Sequence, residues 1–188
     1  MPKNDQQESY EKLMSANHGR MIEFTKFAEA KNAALLTFCS VWMGAMITLL
    51  RSPEELPLGY SHAFRGALPL LFIAAIISLK SLMPKFLHQV QKREDDNKNL
   101  LYFGDIGRTG PADYPHMAAE LYTPTGNDSA TETYLRDLAV QTAIHAKIAH
   151  RKFQCFNWAG SFVLAAFGVM AIPPAVFVIR WAISYLDC

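Results

Sequence analysis

The stretch AALLTFCSVWMGAMITLL, Ala33 to Leu50, holds eighteen residues and no charge. At about 1.5 Å per residue a helix of that length reaches about 27 Å, close to the roughly 30 Å of bilayer hydrocarbon. A charged segment of about 30 residues precedes it and no cleavage-type sequence follows, so a retained transmembrane helix is expected rather than a secretory leader. Two further apolar runs lie downstream. GALPLLFIAAIISL, Gly66 to Leu79, is shorter, but Lys80 can snorkel toward headgroups while Ser81, Leu82 and Met83 extend the apolar surface to Pro84. The third, FNWAGSFVLAAFGVMAIPPAVFVI, runs uncharged from Phe156 to Ile179 and is long enough to cross with some tilt. Pro173 and Pro174 within it each remove a backbone donor, so a kink or a partly broken helix is expected there. Simple distortion is the plain reading of that pair, and a hinge or gate is the sharper one.

The averages over all 188 residues conceal this segregation: 51% hydrophobic, 19% charged and a mean hydropathy of +0.05 describe neither the apolar runs nor the charged stretches between them. A net charge of +1 removes any global electrostatic case for nucleic-acid binding, and none is expected as a partner. Cys39, Cys155 and Cys188 are far apart and lack metal-ligand spacing, which argues against a disulfide framework or a zinc site.

The distribution of basic residues argues the topology. Lys3, Lys12, Arg20, Lys26 and Lys31 precede the first run, and only Arg51 and Arg65 lie between the first and second. Lys80, Lys85, Lys92, Arg93, Lys98, Arg108, Arg136, Lys147, Arg151 and Lys152 fall between the second and third, and Arg180 alone follows. By the positive-inside rule the N-terminal segment and the long middle segment face the cytoplasm. The expected organisation is a cytoplasmic amphipathic helix (1–32), a first span (33–50), a periplasmic hairpin (51–65) and a second span (66–83). A cytoplasmic sensing region (84–155), a third span (156–179) and a periplasmic tail (180–188) complete it. The expected fold is mainly α, with three transmembrane helices and a helical cytoplasmic region.

Within the polar segments, Tyr10, Leu13, Met14, Met21, Phe24 and Ala28 recur at helical spacing and predict a face for a core or partner helix. Leu82, Met83, Phe86, Leu87 and Val90 continue an apolar face beyond the second span, until Arg93, Glu94, Asp95 and Asp96 turn the chain polar. Between Asn99 and Asn127 the density of Gly and Pro predicts loop and short helices. Ser129 followed by Glu132 makes a capping-box pattern, from which a helix with Tyr134, Leu135, Leu138, Ala139, Thr142, Ala146 and Ala149 on one face leads into the third span.

No Walker-type loop, G-x-S-x-G, H-E-x-x-H or C-x-x-C is present, and no nucleophile and base stand together, so neither an enzyme nor a resident cofactor is expected. His145 and His150 are five residues apart, too far round a helix for the usual i, i+4 metal pair, and surface exposure or ordinary packing is the reading for all six histidines. The most distinctive soluble stretch is NLLYFGDI, Asn99 to Ile106. There Gly104 permits close backbone approach and Asp105 offers a carboxylate, while Tyr102 and Phe103 either fill a core or stack on a base, core packing being the default. Lys147, Arg151 and Lys152 form a basic cluster suited to headgroups or to an anion.

The segments AEAKNAALLTF (Ala28 to Phe38), NLLYFGDIGR (Asn99 to Arg108) and DLAVQTAIHAKIAHRKF (Asp137 to Phe153), in this order beside three apolar runs, resemble the transmembrane effectors of the Pycsar antiphage system. The resemblance covers roughly Tyr10 to Ile179. It implies a multi-pass protein of the bacterial inner membrane, activated by cyclic UMP or cyclic CMP from a pyrimidine cyclase, that impairs the membrane and causes abortive infection. A homo-oligomer is expected as well. Carried over by motif, Lys31, Phe103, Gly104, Asp105, Gln141 and Lys152 are candidate ligand-binding positions. Such a ligand needs a cation for its phosphate, which Arg108, Arg136 or Lys152 can supply, and an apolar surface for its base, which Phe103 or Tyr102 can supply. The competing readings are a constitutive holin-like pore, toxic when expressed alone, and a membrane anchor that recruits a partner protein.

Overall fold

The computed structural model describes residues 5–54, 56–83, 99–126 and 128–186. Five α-helices occur among them: α1 (Asp5–Arg51), α2 (Tyr60–Leu82), α3 (Phe103–Ile106), α4 (Asp113–Tyr122) and α5 (Glu132–Leu186). There is no strand among the described residues, and the fold is mainly α. The apolar face of Phe86, Leu87 and Val90 and the charge run Arg93 to Asp96 lie outside the described residues.

The three long helices are apolar enough to cross a membrane, and each contains one of the uncharged runs. α1 and α2 are joined by a turn in which Leu58 (φ 60°) and Gly59 (φ 80°) are both left-handed. Glycine takes that conformation freely, whereas Leu58 adopts it at a cost. α2 then starts at Tyr60, earlier than the apolar run itself. Of the kink or partial break expected at Pro173 and Pro174, the break is absent, because α5 continues through both. Each proline removes one i to i−4 hydrogen bond, which a long helix tolerates without ending.

The chain divides into two compact units. One takes in Met1–Phe27 and Pro84–His150, the other Ala28–Met83 and Arg151–Cys188. In the second, Cys39 and Met46 of α1, Ala67, Leu71, Ala74 and Ala75 of α2, and Ala159, Val163, Ala166 and Met170 of α5 make one core. Five of these ten are alanine, and a Cβ at Gly66 would lie 3.3 Å from Val169. Small residues let helix backbones approach closely, which is where packing energy comes from when lipid removes the hydrophobic drive between helices. Phe167 packs against this core and also meets the exposed Phe38 and Trp42 of α1, 5.8 Å and 5.4 Å away between ring centroids. Val41, Leu164 and Phe177 point outward and are exposed, an inside-out pattern suited to lipid. In the first run Thr37, Ser40 and Thr48 each donate to the carbonyl four residues earlier, whereas the buried Ser78 hydroxyl of the second run has no partner.

The covered line of α1 matches the expected one only in part: Met14, Met21 and Ala28 lie on it. Tyr10, Leu13 and Phe24 are exposed, while Gln7, Met14, His18, Met21 and Thr25 are more covered. The helix presents the stripe with polar members: Gln7 meets the 129–130 backbone ahead of α5, and His18 meets His145 on α5. The start of α5 also differs. Gln7 Nε2 donates to the Ala130 carbonyl at 2.7 Å and its Oε1 accepts from Ser129 N–H at 3.4 Å, which holds the 129–130 backbone outside the helix. The cap is therefore Thr131, whose Oγ1 accepts from Tyr134 N–H at 3.1 Å, and the Ser129 hydroxyl has no partner.

Candidate functional site

Two clusters of buried polar groups stand out, one in each unit. In the first unit a network surrounds Asp137, which is 1% exposed on α5. Tyr122 Oη donates to Asp137 Oδ2 at 2.8 Å and accepts from Leu100 N–H at 3.1 Å. Asn99 Nδ2 donates to the Asp137 carbonyl, Asn99 Oδ1 accepts from Leu101 N–H, and Asn99 N–H donates to Asp105 Oδ2. Burial comes first, and the Asp137 carboxylate second, in holding the Tyr122 phenol well above the usual tyrosine range.

One and two turns further along α5 lie Gln141 and His145, on the same face as Asp137 because the spacing is i, i+4. The His145 ring packs edge-on against His18 of α1, with centroids 5.3 Å apart. Burial depresses both histidines below the ordinary 6.5, and His18 adds a repulsive contribution to His145. His18 Nδ1, His145 Nδ1 and Gln141 Nε2 are all buried without a hydrogen-bond partner.

In the second unit Lys152 joins three helices. Its Nζ donates to the Ser81 carbonyl at 2.8 Å and lies 2.9 Å from Glu29 Oε1, with the side chain only 13% exposed. Ser81 O is one of the last four carbonyls of α2, which no intrahelical donor reaches, so an ammonium there is favoured both as a donor and by the helix dipole. Asn32, fully buried on α1, donates from Nδ2 to the carbonyls of Ala28 and Lys152. Lys31 Nζ stands over Phe156 and Phe153, 5.2 and 5.8 Å from their centroids.

The eight candidate positions thus divide. Lys31 and Lys152 belong to the second unit, and Phe103, Gly104, Asp105, Arg108, Arg136 and Gln141 to the first. Asp105 closes the Asn99 turn. Phe103 is 69% exposed and meets Tyr102 edge-on at 4.9 Å, so the default of core packing fails for it. A Cβ on Gly104 would come within 2.5 Å of the Tyr102 ring, which lies over it. Arg108 is exposed, and Arg136 Nε approaches Asp137 Oδ1 only to 3.9 Å. Of the basic cluster, Lys147 and Arg151 are exposed and Lys152 is paired. Sequence reasoning passed over Tyr122, Glu29, Asn32 and Asp137 as individual positions and read His18 only as surface or ordinary packing. The signal for the last was present: polar residues at 137, 141 and 145 recur at helical spacing beside apolar Leu138 and Ile144.

These features define a helical membrane protein whose first and last spanning helices also build a bundle with a polar seam. The chain belongs to the Pycsar effector family: residues 13–181 match the Pycsar effector protein domain. It is similar to the Pycsar effector protein RsPycTM of a Rhizobium species, with 74% identity over 175 residues, covering 93% of this chain and all of that relative. Membership makes it a membrane-located effector of antiphage defence. No solved structure matches the chain.

Proposed function

We propose that this protein impairs the bacterial inner membrane when cyclic UMP or cyclic CMP, made by a partner pyrimidine cyclase, binds its polar helical unit. The action is non-enzymatic and ends in abortive infection. The N-terminus and the 84–155 segment face the cytoplasm, where the nucleotide is made, as the excess of basic residues in those segments supports. Homo-oligomers carry the response.

The observation that supports this reading best is the continuity of two helices. α1 and α5 each supply both the polar seam, through His18 and His145, and the apolar core, through Met46 and Met170. A ligand that binds one arrangement of such helices better than another shifts the population of the whole. Helices then carry the change because packed elements switch between discrete arrangements rather than deforming smoothly.

Liposomes holding the full chain and a potential-sensitive dye test this. Depolarisation on adding cyclic UMP or cyclic CMP is the expected result. Leakage without nucleotide would indicate a constitutive pore instead, and no response to either nucleotide by inserted protein would end the proposal.

A further inference from the structure

The Asp137 network and the next two turns of α5 are opposites. At Asp137 the polar groups named above find partners, while Gln141 Nε2, His145 Nδ1 and His18 Nδ1 are buried with none. Leaving such a group unpaired is destabilising, and buried polar groups without partners are uncommon enough to need a cause. Packing does not require them, since Leu138 and Ile144 on the same helix are buried apolar residues. Gln141 is itself only 3% exposed, so water reaches its amide no better than protein does.

We propose that this seam of α1 and α5 reads the base of the activating nucleotide, Gln141 Nε2 donating to a ring carbonyl and the Nδ1 of His18 or His145 pairing with the adjacent ring nitrogen. The inference rests on the nucleotide reading of the preceding subsection and adds where and how the base is held. Uracil and cytosine both offer a carbonyl beside ring N3, which is a donor in uracil and an acceptor in cytosine. A neutral imidazole satisfies either by choice of tautomer, and burial favours the neutral form of both histidines. An ammonium or guanidinium at that place would serve only an acceptor. Because the three nitrogens are covered, entry of the ring must part α1 from α5 locally, and the groups it meets are those that gain most from a partner.

Calorimetric titration of the detergent-solubilised full chain with cyclic UMP and with cyclic CMP, for wild type and Gln141→Leu, tests the assignment. The leucine variant is expected to keep its helical circular dichroism, to melt no earlier than wild type because an unpartnered amide is gone, and to bind at least about tenfold more weakly. Unchanged affinity overturns the assignment while leaving nucleotide activation intact. Failure of wild type to bind either nucleotide overturns the activation reading itself, and this inference with it. Imidazole 15N NMR of wild type, assigned with His18→Gln and His145→Gln, decides the matter without a Gln141 variant. The Nδ1 signal of at least one of the two histidines moves on saturation, and static signals from both with nucleotide bound overturn the proposal.

Discussion

Lys152 Nζ lies 2.9 Å from Glu29 Oε1, and the same ammonium donates to the last turn of α2 through the Ser81 carbonyl. One cation therefore ties together α1, α2 and α5, and its long stem is covered while Glu29 remains half-exposed.

Replacing Lys152 by Met keeps the stem and deletes the charge. The expected loss is about 1–3 kcal/mol, below that of a fully buried pair because Glu29 can be rehydrated. Glu29→Gln should cost less, since the amide leaves the Lys152 to Ser81 bond in place. Thermal melts in detergent check the order, and equal melting of K152M and wild type would show that the tie contributes nothing.

Tyr122 and Asp137 should behave as a coupled pair. Tyr122→Phe strips Leu100 N–H of its acceptor and Asp137 of a donor, with an expected cost of about 1–3 kcal/mol. Combined with Asp137→Asn the losses should be less than additive in a double-mutant cycle, and simple additivity would contradict the network.

Stability should rise with pH across the histidine range. The folded pKa values of His18 and His145 lie below the ordinary 6.5, so between those values and 6.5 the unfolded chain binds more protons than the folded one. The contribution is complete above pH 6.5 and is lost as pH falls toward the folded values. Melting temperatures from pH 8 to 5 should show this slope, and His18→Gln with His145→Gln should flatten it.

Ala166 is fully buried and Leu164, two residues away, is 73% exposed. Ala166→Leu should disturb the small-residue packing by about 1–3 kcal/mol and Leu164→Ala should leave it nearly untouched. Detergent melts and monodispersity report both, and the reverse order would mean that the helix faces are assigned wrongly.

Thr131→Ala should cost about 1 kcal/mol through loss of the α5 cap, whereas Ser129→Ala should be neutral or slightly stabilising because its hydroxyl has no partner. Urea titration separates the two, and a larger effect at Ser129 would restore the capping-box assignment.

Much of the architecture was legible because it rests on local properties. Uncharged runs of helical length, a Gly and Pro cluster at 99–127 and helical spacing beyond it are each read within one segment, and they correspond to the three long helices and to short α3 and α4. The failures were also local. Of the expected line, Met14, Met21 and Ala28 are covered, but a period does not say how wide the covered stripe is, and Gln7 and His18 meet partners where Tyr10, Leu13 and Phe24 are exposed. Ser129 and Glu132 have capping-box spacing, yet Gln7 holds the 129–130 backbone out of the helix from over 100 residues away.

Hydropathy and motif order, which need no coordinates, already specify a mainly α membrane protein with three apolar helices and point to the effector family. Which candidate residues meet is a matter of tertiary packing. Lys152 depends on Glu29 and Ser81, and His145 depends on His18, partners contributed by chain segments remote in sequence. Such groupings are set by helix packing and register, and a covered nitrogen is recognised as lacking a partner only after every neighbour has been placed.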